Sequence, residues 1–121
     1  MARNISFSLT TEQIRNRTKT VTRRKGWRFL KVGDVLNACV KCMGLQPGEK
    51  IERLGKIKVV GLRREPLWYI GDEAYGPAYE GFPQLDAKQF VEMFCHHMGG
   101  DGDQFVTRIE FEYVDSQRMV E

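Results

Sequence analysis

Near the end of the chain runs Phe105-Val106-Thr107-Arg108-Ile109-Glu110-Phe111-Glu112-Tyr113-Val114, ten residues whose pattern predicts the fold. An alternation of period two is typical of a strand with one buried face and one solvated face. The apolar face carries Phe105, Ile109, Phe111 and Tyr113, and the charged face carries Arg108, Glu110 and Glu112. The stretch therefore predicts a half-buried antiparallel strand.

A helix is predicted just before that strand, at Ala87–Met98. Asp86 and Gln89 have the spacing of a capping box, and Gly99 and Gly100 favour an end to the helix. Its apolar residues recur at helical spacing and predict a buried stripe made of Phe90, Val91, Phe94, Cys95 and Met98.

Extended segments are predicted further upstream, separated by Gly and Pro turns. The elements are strands at Ile5–Leu9, Thr18–Thr22, Val35–Lys41 and Ile57–Leu62, a helical turn from Thr10 through Ile14, and a loop or lid from Gly71 to Pro83. About five strands, one principal helix and a short N-terminal helical turn predict an α+β fold of the small β-barrel type. We expect one domain over residues 1–121.

Composition limits the class of protein. The chain has no apolar run near the ~20 residues that span a bilayer, and its first residues lack the apolar segment of a secretion signal. Three cysteines indicate a reducing compartment, so we expect a cytoplasmic protein with no membrane partner. Residues 1–64 carry 16 Lys and Arg against four acids, and residues 65–121 carry three against 12. This asymmetry predicts either an anion-binding face or two halves that neutralise each other.

The positive charge is densest in Arg15-Asn16-Arg17-Thr18-Lys19-Thr20-Val21-Thr22-Arg23-Arg24-Lys25-Gly26-Trp27, which holds six cations and three threonines. Such a segment can hold phosphate, can activate a threonine nucleophile, or can be a solvated strand edge. Like charges around Lys19 should lower the pKa of its amine and suit it to act as a base. In a regular strand, however, Lys19 and Thr22 would point to opposite faces, so the chain must turn or bulge between them.

The order of motifs resembles the ASCH (activating signal cointegrator homology) family of PUA-like β-barrels. The motifs are K-T-V-T-R-R, G-W, V-G-D-V-L, E-G-F-P and a closing R-I-E-F-E-Y strand, and the resemblance runs from Ile5 to Val114. It implies a cleft that binds RNA or a nucleotide. In one branch the K-T-x-T motif belongs to an amidohydrolase of N4-acetylcytidine.

That branch implies three catalytic residues here and no cofactor. Thr22 would be the nucleophile, Lys19 the base, and Glu80 of E-G-F-P the third member. The implied substrate, a nucleoside or RNA, would contact Arg17, Thr20, Arg23, Arg24, Trp27, Tyr75 and Tyr79. This chain departs from the pattern at Arg23, where the family has an apolar residue, and in its longer aromatic loop before Pro83. Both differences change the pocket wall.

Other interpretations stay open from sequence alone. The domain could be a non-catalytic RNA-binding module, a ribonuclease of the same family, or a nucleic-acid mimic using its acidic half. Glu80 in a Gly- and Pro-rich loop could be solvated. Cys39-Val40-Lys41-Cys42 with Cys95-His96-His97 has zinc-ligand types, but a strand would point the first two thiols apart, so we expect buried thiols and no metal.

Overall fold

The computed structural model describes residues 2–114. The strands are β1 (Arg3–Ser6), β2 (Val21–Arg24), β3 (Val35–Cys39), β4 (Arg53–Pro66) and β5 (Phe105–Val114). The helices are α1 (Thr11–Arg15), a 3₁₀ helix (Leu67–Asp72), α2 (Gly76–Tyr79) and α3 (Ala87–Met98).

The five strands form one sheet in the order β1-β3-β4-β5-β2, which curls into a half-barrel. β1 runs parallel to β3, and the other three pairs are antiparallel. The long β4–β5 pair is its centre, with a register shift between Val59 and Gly61. The predicted α+β fold with a small, curled β-sheet is therefore confirmed.

Two apolar clusters hold the elements together. One lies on the inner face of the sheet and includes Ile5, Phe7, Ile14, Leu36, Ile57, Val59, Ile109 and Phe111. The other joins the 3₁₀ helix and α3 to β5 through Leu67, Ile70, Phe90, Val91, Phe94 and Val106. Burial of these side chains is the main favourable free energy of folding, and it fixes α3 beside the sheet.

The bounds of α3 and β5 are those predicted, but two residues of β5 were assigned to the wrong face, since Phe105 is exposed and Arg108 is buried. The Asp86 carboxylate accepts a hydrogen bond from Gln89 N at 2.8 Å, and the Gln89 side chain accepts one from Asp86 N at 2.9 Å. This reciprocal pair is a complete capping box, which satisfies two backbone donors that the first turn leaves without helical partners.

Other predicted bounds were wrong. β1 ends at Ser6, and Leu9 is exposed rather than the last residue of a strand. β4 is more than twice as long as the predicted Ile57–Leu62, because its pairing with β3 begins at Arg53 and its pairing with β5 extends to Pro66. The predicted loop or lid also contains all of α2 and the last two residues of the 3₁₀ helix, Gly71 and Asp72.

Within residues 2–114, no helix has the length and hydropathy needed to cross a membrane. The cytoplasmic location stays a prediction.

Candidate functional site

A cavity of about 200 Å³ opens between the β1–α1 connection, the start of β2 and α3. Its polar end is lined by Ser6, Lys19, Thr22, Arg23, Arg24 and Glu80. Its apolar end is lined by Phe7, Leu9, Phe82, Phe90, Met93, Phe94 and Met98, with His97 alongside. The cavity thus brings together all three residues predicted to be catalytic.

Lys19 and Thr22 share the cavity because β2 begins only at Val21. Lys19 therefore lies in the irregular segment before the strand, where alternation between sheet faces does not apply. The backbone around it is anchored on both sides, since Thr20 N donates to Tyr79 O at 2.9 Å and Thr20 O accepts from Phe111 N at 2.9 Å. The chain therefore departs from a regular strand at Lys19, and this departure lets Lys19 and Thr22 line the same cavity.

Lys19 and Glu80 form a buried ion pair. Lys19 Nζ donates to Glu80 Oε1 at 2.9 Å and to the Glu80 carbonyl oxygen at 2.5 Å. The two side chains are 3% and 4% exposed. The interpretations of Lys19 as a solvated strand edge and of Glu80 as a solvated loop residue were therefore wrong.

Burial lowers the pKa of Lys19, because removing an ammonium from water disfavours its charged form. The Glu80 carboxylate raises the pKa of Lys19 because it stabilises the ammonium form, and the Arg24 and Arg23 guanidiniums lower that pKa further. The net result is that Lys19 loses its proton, and so becomes a neutral amine, more readily than a surface lysine does. A base needs such an amine.

Thr22 contacts the Arg24 guanidinium. Arg24 Nε donates to Thr22 Oγ1 at 2.9 Å, Arg24 Nη2 donates to Ser6 O at 2.5 Å, and the guanidinium lies 4.9 Å from the centre of the Phe7 ring. Burial lowers the pKa of Arg24 to about 10, so it remains a cation at neutral pH. The threonine oxygen is thus fixed beside a positive charge, inside the cavity.

Arg23 also reaches this site, although it is a position at which the sequence differs from the ASCH pattern that it resembles. Its side chain is fully buried, and its Nη1 donates to Glu80 Oε2 at 3.2 Å. The two oxygens of the Glu80 carboxylate are therefore divided between Lys19 and Arg23.

Five residues predicted to contact a ligand do not line the cavity. Arg17 is exposed and lies over the Tyr113 ring, and Thr20 contacts Tyr79 through the backbone. Tyr75 and Tyr79 are 64% and 44% exposed, with ring centres 6.2 Å apart. Trp27, expected to contact the substrate, instead packs partly buried against the sheet core beside Phe29.

The apolar end of the cavity was not predicted as part of the site. Of the stripe predicted to be buried on α3, Phe90, Val91 and Phe94 are buried, whereas Cys95 is partly buried and Met98 is exposed. The same periodicity describes a helix packed on a core and a helix packed on a cavity. Ser6 and Ser8 line the cavity as well, and their sequence context carries no signal that would have indicated this.

The cysteines are free thiols, with Cys39 buried and Cys42 and Cys95 partly buried. Burial raises the pKa of Cys39 to about 11, with a contribution from Cys42. Within residues 2–114, no group of three or more His, Cys, Asp and Glu side chains could hold a metal ion.

No protein-family model matches the sequence, and no curated protein matches it. Two solved structures are similar in fold. The hypothetical protein PH0355 superposes with a TM-score of 0.64 at 18% identity, covering 94% of this chain and all of that one. Protein EF3133 from Enterococcus faecalis V583, assigned there to the family DUF984, superposes with a TM-score of 0.62 at 13% identity, covering all of this chain and 82% of that one. At these identities the likeness concerns the fold alone.

Proposed function

We propose that this protein is an ASCH-type amidohydrolase that removes the acyl group from an N4-acylated cytidine, as a nucleoside or within RNA. The observation that carries the proposal is the convergence of Lys19, Thr22 and Glu80, all buried, on one cavity. A hydroxyl, an amine whose pKa burial lowers, and a carboxylate that binds the amine are the groups that threonine-based acyl transfer requires.

The first half of the reaction transfers the acyl group to the enzyme. Thr22 Oγ bonds to the acyl carbon while its proton passes to the neutral amine of Lys19. The carbonyl electron pair moves onto oxygen, where Arg24, which donates to Thr22 Oγ1 at 2.9 Å, is placed to stabilise the negative charge. When the C–N bond breaks, Lys19 returns the proton to N4, which releases cytidine and leaves acyl-Thr22.

The second half restores the enzyme. Water attacks the acyl carbon and gives a proton to Lys19, and the Thr22 oxygen then leaves and recovers that proton as the carboxylic acid departs. Glu80 holds Lys19 through its Oε1 contact of 2.9 Å, so the amine stays oriented in both half-reactions. No cofactor enters any of these steps.

The first test is turnover of N4-acetylcytidine by the purified protein, with cytidine release followed by chromatography. We expect Thr22→Ala and Lys19→Ala each to lower kcat by about 10³-fold or more, because nucleophile and base act as one unit. Thr20→Ala is the matched control, since Thr20 belongs to the same motif but does not line the cavity. A folded wild-type protein that releases no cytidine would contradict the proposal.

The alternative is a non-catalytic RNA-binding module. The observation in its favour is that the cavity holds three cations, Lys19, Arg23 and Arg24, against the single carboxylate of Glu80. In that case single-stranded RNA should bind without turnover, and affinity should fall steeply with salt as bound phosphates release counterions.

A further inference from the structure

Three arginines lie side by side across the sheet. The register pairs Arg23 of β2 with Arg108 of β5, and Arg108 with Arg63 of β4. Three neighbouring guanidiniums repel each other unless carboxylates lie among them. The Arg23 and Arg108 side chains are 0% and 10% exposed, so solvent does little to weaken this repulsion.

Three glutamates supply the compensating charge. Glu73 accepts from Arg108 Nε at 2.9 Å and Nη2 at 3.0 Å, from Arg63 Nη2 at 3.1 Å, and from Arg23. Glu65 pairs with Arg63 at 2.5 Å and with Arg23 at 3.4 Å. Glu80 pairs with Arg23 at 3.2 Å and with Lys19 at 2.9 Å.

Of the cations that the structure describes, only Arg23 pairs with all three glutamates. Both of its Nη atoms are engaged in these contacts, whereas its buried Nε has no hydrogen-bond partner within residues 2–114. A buried donor without a partner costs free energy. The guanidinium therefore has an orientation that gives its Nη atoms three carboxylate partners while its Nε has none.

From these contacts we infer that Arg23 is a positioning residue for the proposed hydrolysis. It binds Glu80 Oε2 and so turns Oε1 toward the amine of Lys19. Arg23 also pairs with Glu73, the C-cap of the 3₁₀ helix, and with Glu80, the C-cap of α2. These two pairs fix both ends of segment 73–80 on the sheet. This inference rests on the proposed function for its kinetic consequence, but its electrostatic consequence is independent of any substrate.

The electrostatic consequence falls on Lys19. The charged groups that face its amine are the Glu80 carboxylate, which raises the pKa, and the Arg24 and Arg23 guanidiniums, which lower it in addition to burial. Beside them lie the Glu80 carbonyl oxygen and the Phe7 ring, with His97 on the cavity wall. Removing the positive charge of Arg23 should therefore raise the pKa of Lys19.

The test compares Arg23→Gln, Arg23→Lys and the control Arg63→Gln. Arg63 belongs to the same row and contacts Glu65 and Glu73, but it is 55% exposed and does not contact Glu80. The titration midpoint of Lys19 is measured from its Nζ and Cε chemical shifts in labelled protein, and kcat and KM are measured on N4-acetylcytidine.

In Arg23→Gln we expect the Lys19 midpoint to move to higher pH and kcat to fall about 10–100-fold with little change in KM. Arg23→Lys keeps the charge but cannot reach three carboxylates at once, so it should keep a midpoint near that of the wild type and still lose kcat. Arg63→Gln should change neither the Lys19 midpoint nor kcat.

The possible failures are distinguishable. A folded Arg23→Gln protein with an unchanged Lys19 midpoint would overturn the inference, even if the wild type is an active hydrolase. A wild type without turnover whose Lys19 midpoint still rises in Arg23→Gln would refute the proposed function and support the electrostatic role of Arg23. If Arg23→Gln does not fold, wild-type kcat in a folded Arg23→Lys protein would overturn the positioning role.

Discussion

Tyr113 supports the site from the far side of Lys19. Its hydroxyl donates to the Lys19 carbonyl oxygen at 2.6 Å, while its ring lies between Phe111 and the Arg17 guanidinium. This hydrogen bond to the backbone fixes the main chain of Lys19 without engaging its amine, which binds Glu80 instead. The geometry on which the proposed hydrolysis depends is thus held by a residue that does not line the cavity.

We expect Tyr113→Phe to lower the free energy of unfolding by about 0.5–1.5 kcal/mol, because one buried hydrogen bond is lost. Burial raises the pKa of Tyr113 to about 12, from 10.0 in the unfolded chain. A group whose pKa is raised on folding stabilises the protein fully below its unfolded pKa. This contribution is therefore complete below pH 10 and declines as pH rises toward 12.

Phenolate absorbance at 295 nm measures this ionisation, and urea denaturation at pH 7 measures the stability. The wild type should show one tyrosine that ionises near pH 12 while the protein remains folded, and the variant should lack it. The same high-pH component in folded Tyr113→Phe would assign it to another residue and contradict the expectation.

At the scale of elements, the turn before β5 depends on a glycine. Trp68 N donates to Gly102 O at 3.0 Å, and the indole lies so close that a Cβ on Gly102 would be 2.1 Å from Trp68 Cε2. The 3₁₀ helix that follows β4 is therefore packed directly on the loop that leads into β5.

We expect Gly102→Ala to destabilise the protein by about 1–3 kcal/mol, because the added methyl displaces the indole. Gly71→Ala is the matched control from the same region, since its Cβ would meet only the Ala87 Cβ, at an ordinary 3.8 Å. Urea denaturation followed by circular dichroism measures both. Equal midpoints for the two variants would contradict the expected clash.

Elements whose bounds are set by local sequence signals could be predicted, whereas elements whose bounds are set by strand pairing could not. The bounds of α3 and β5 follow from local signals, namely a capping box, a helical stripe and an alternation of period two. The length of β4 does not, because the residues before Ile57 and beyond Leu62 are extended by pairing with β3 and β5 rather than by their own pattern. The row of three arginines could not be predicted from sequence either. It depends on the register of β4 against β5, which includes the shift after Val59. Sequence did bring Lys19, Thr22 and Glu80 to one site, through the resemblance rather than through spacing.

For the molecule as a whole, Glu73 joins three strands through their arginines. Burial alone would raise the pKa of its carboxylate, but the hydrogen bonds from Arg108 and the charges of Arg23, Arg108 and Arg63 outweigh it and lower the pKa below 4.5. A carboxylate with a lowered folded pKa stabilises the protein fully above its unfolded pKa. That stabilisation is lost as pH falls below 4.5 through the folded value.

We expect Glu73→Gln to lower the free energy of unfolding at pH 7 by about 1.5–3 kcal/mol, the usual range for hydrogen bonds to a charged group. It should also flatten the acid limb of stability, measured by urea denaturation from pH 7 to pH 3. Glu112→Gln is the control, because Glu112 is exposed on β5. An acid limb as steep in Glu73→Gln as in the wild type would show that other carboxylates govern acid unfolding.

The strand order has a consequence for how the chain is made. β1 and β2 precede the other three strands in the chain, yet they form opposite edges of the sheet, and β2 pairs with β5, whose Glu110 lies opposite Val21. A nascent chain emerging from the ribosome therefore exposes Lys19 and Thr22 long before it has synthesised the strand that holds them. Because β2 pairs with β5, Lys19 and Thr22 can reach their final positions only after β5 has been synthesised.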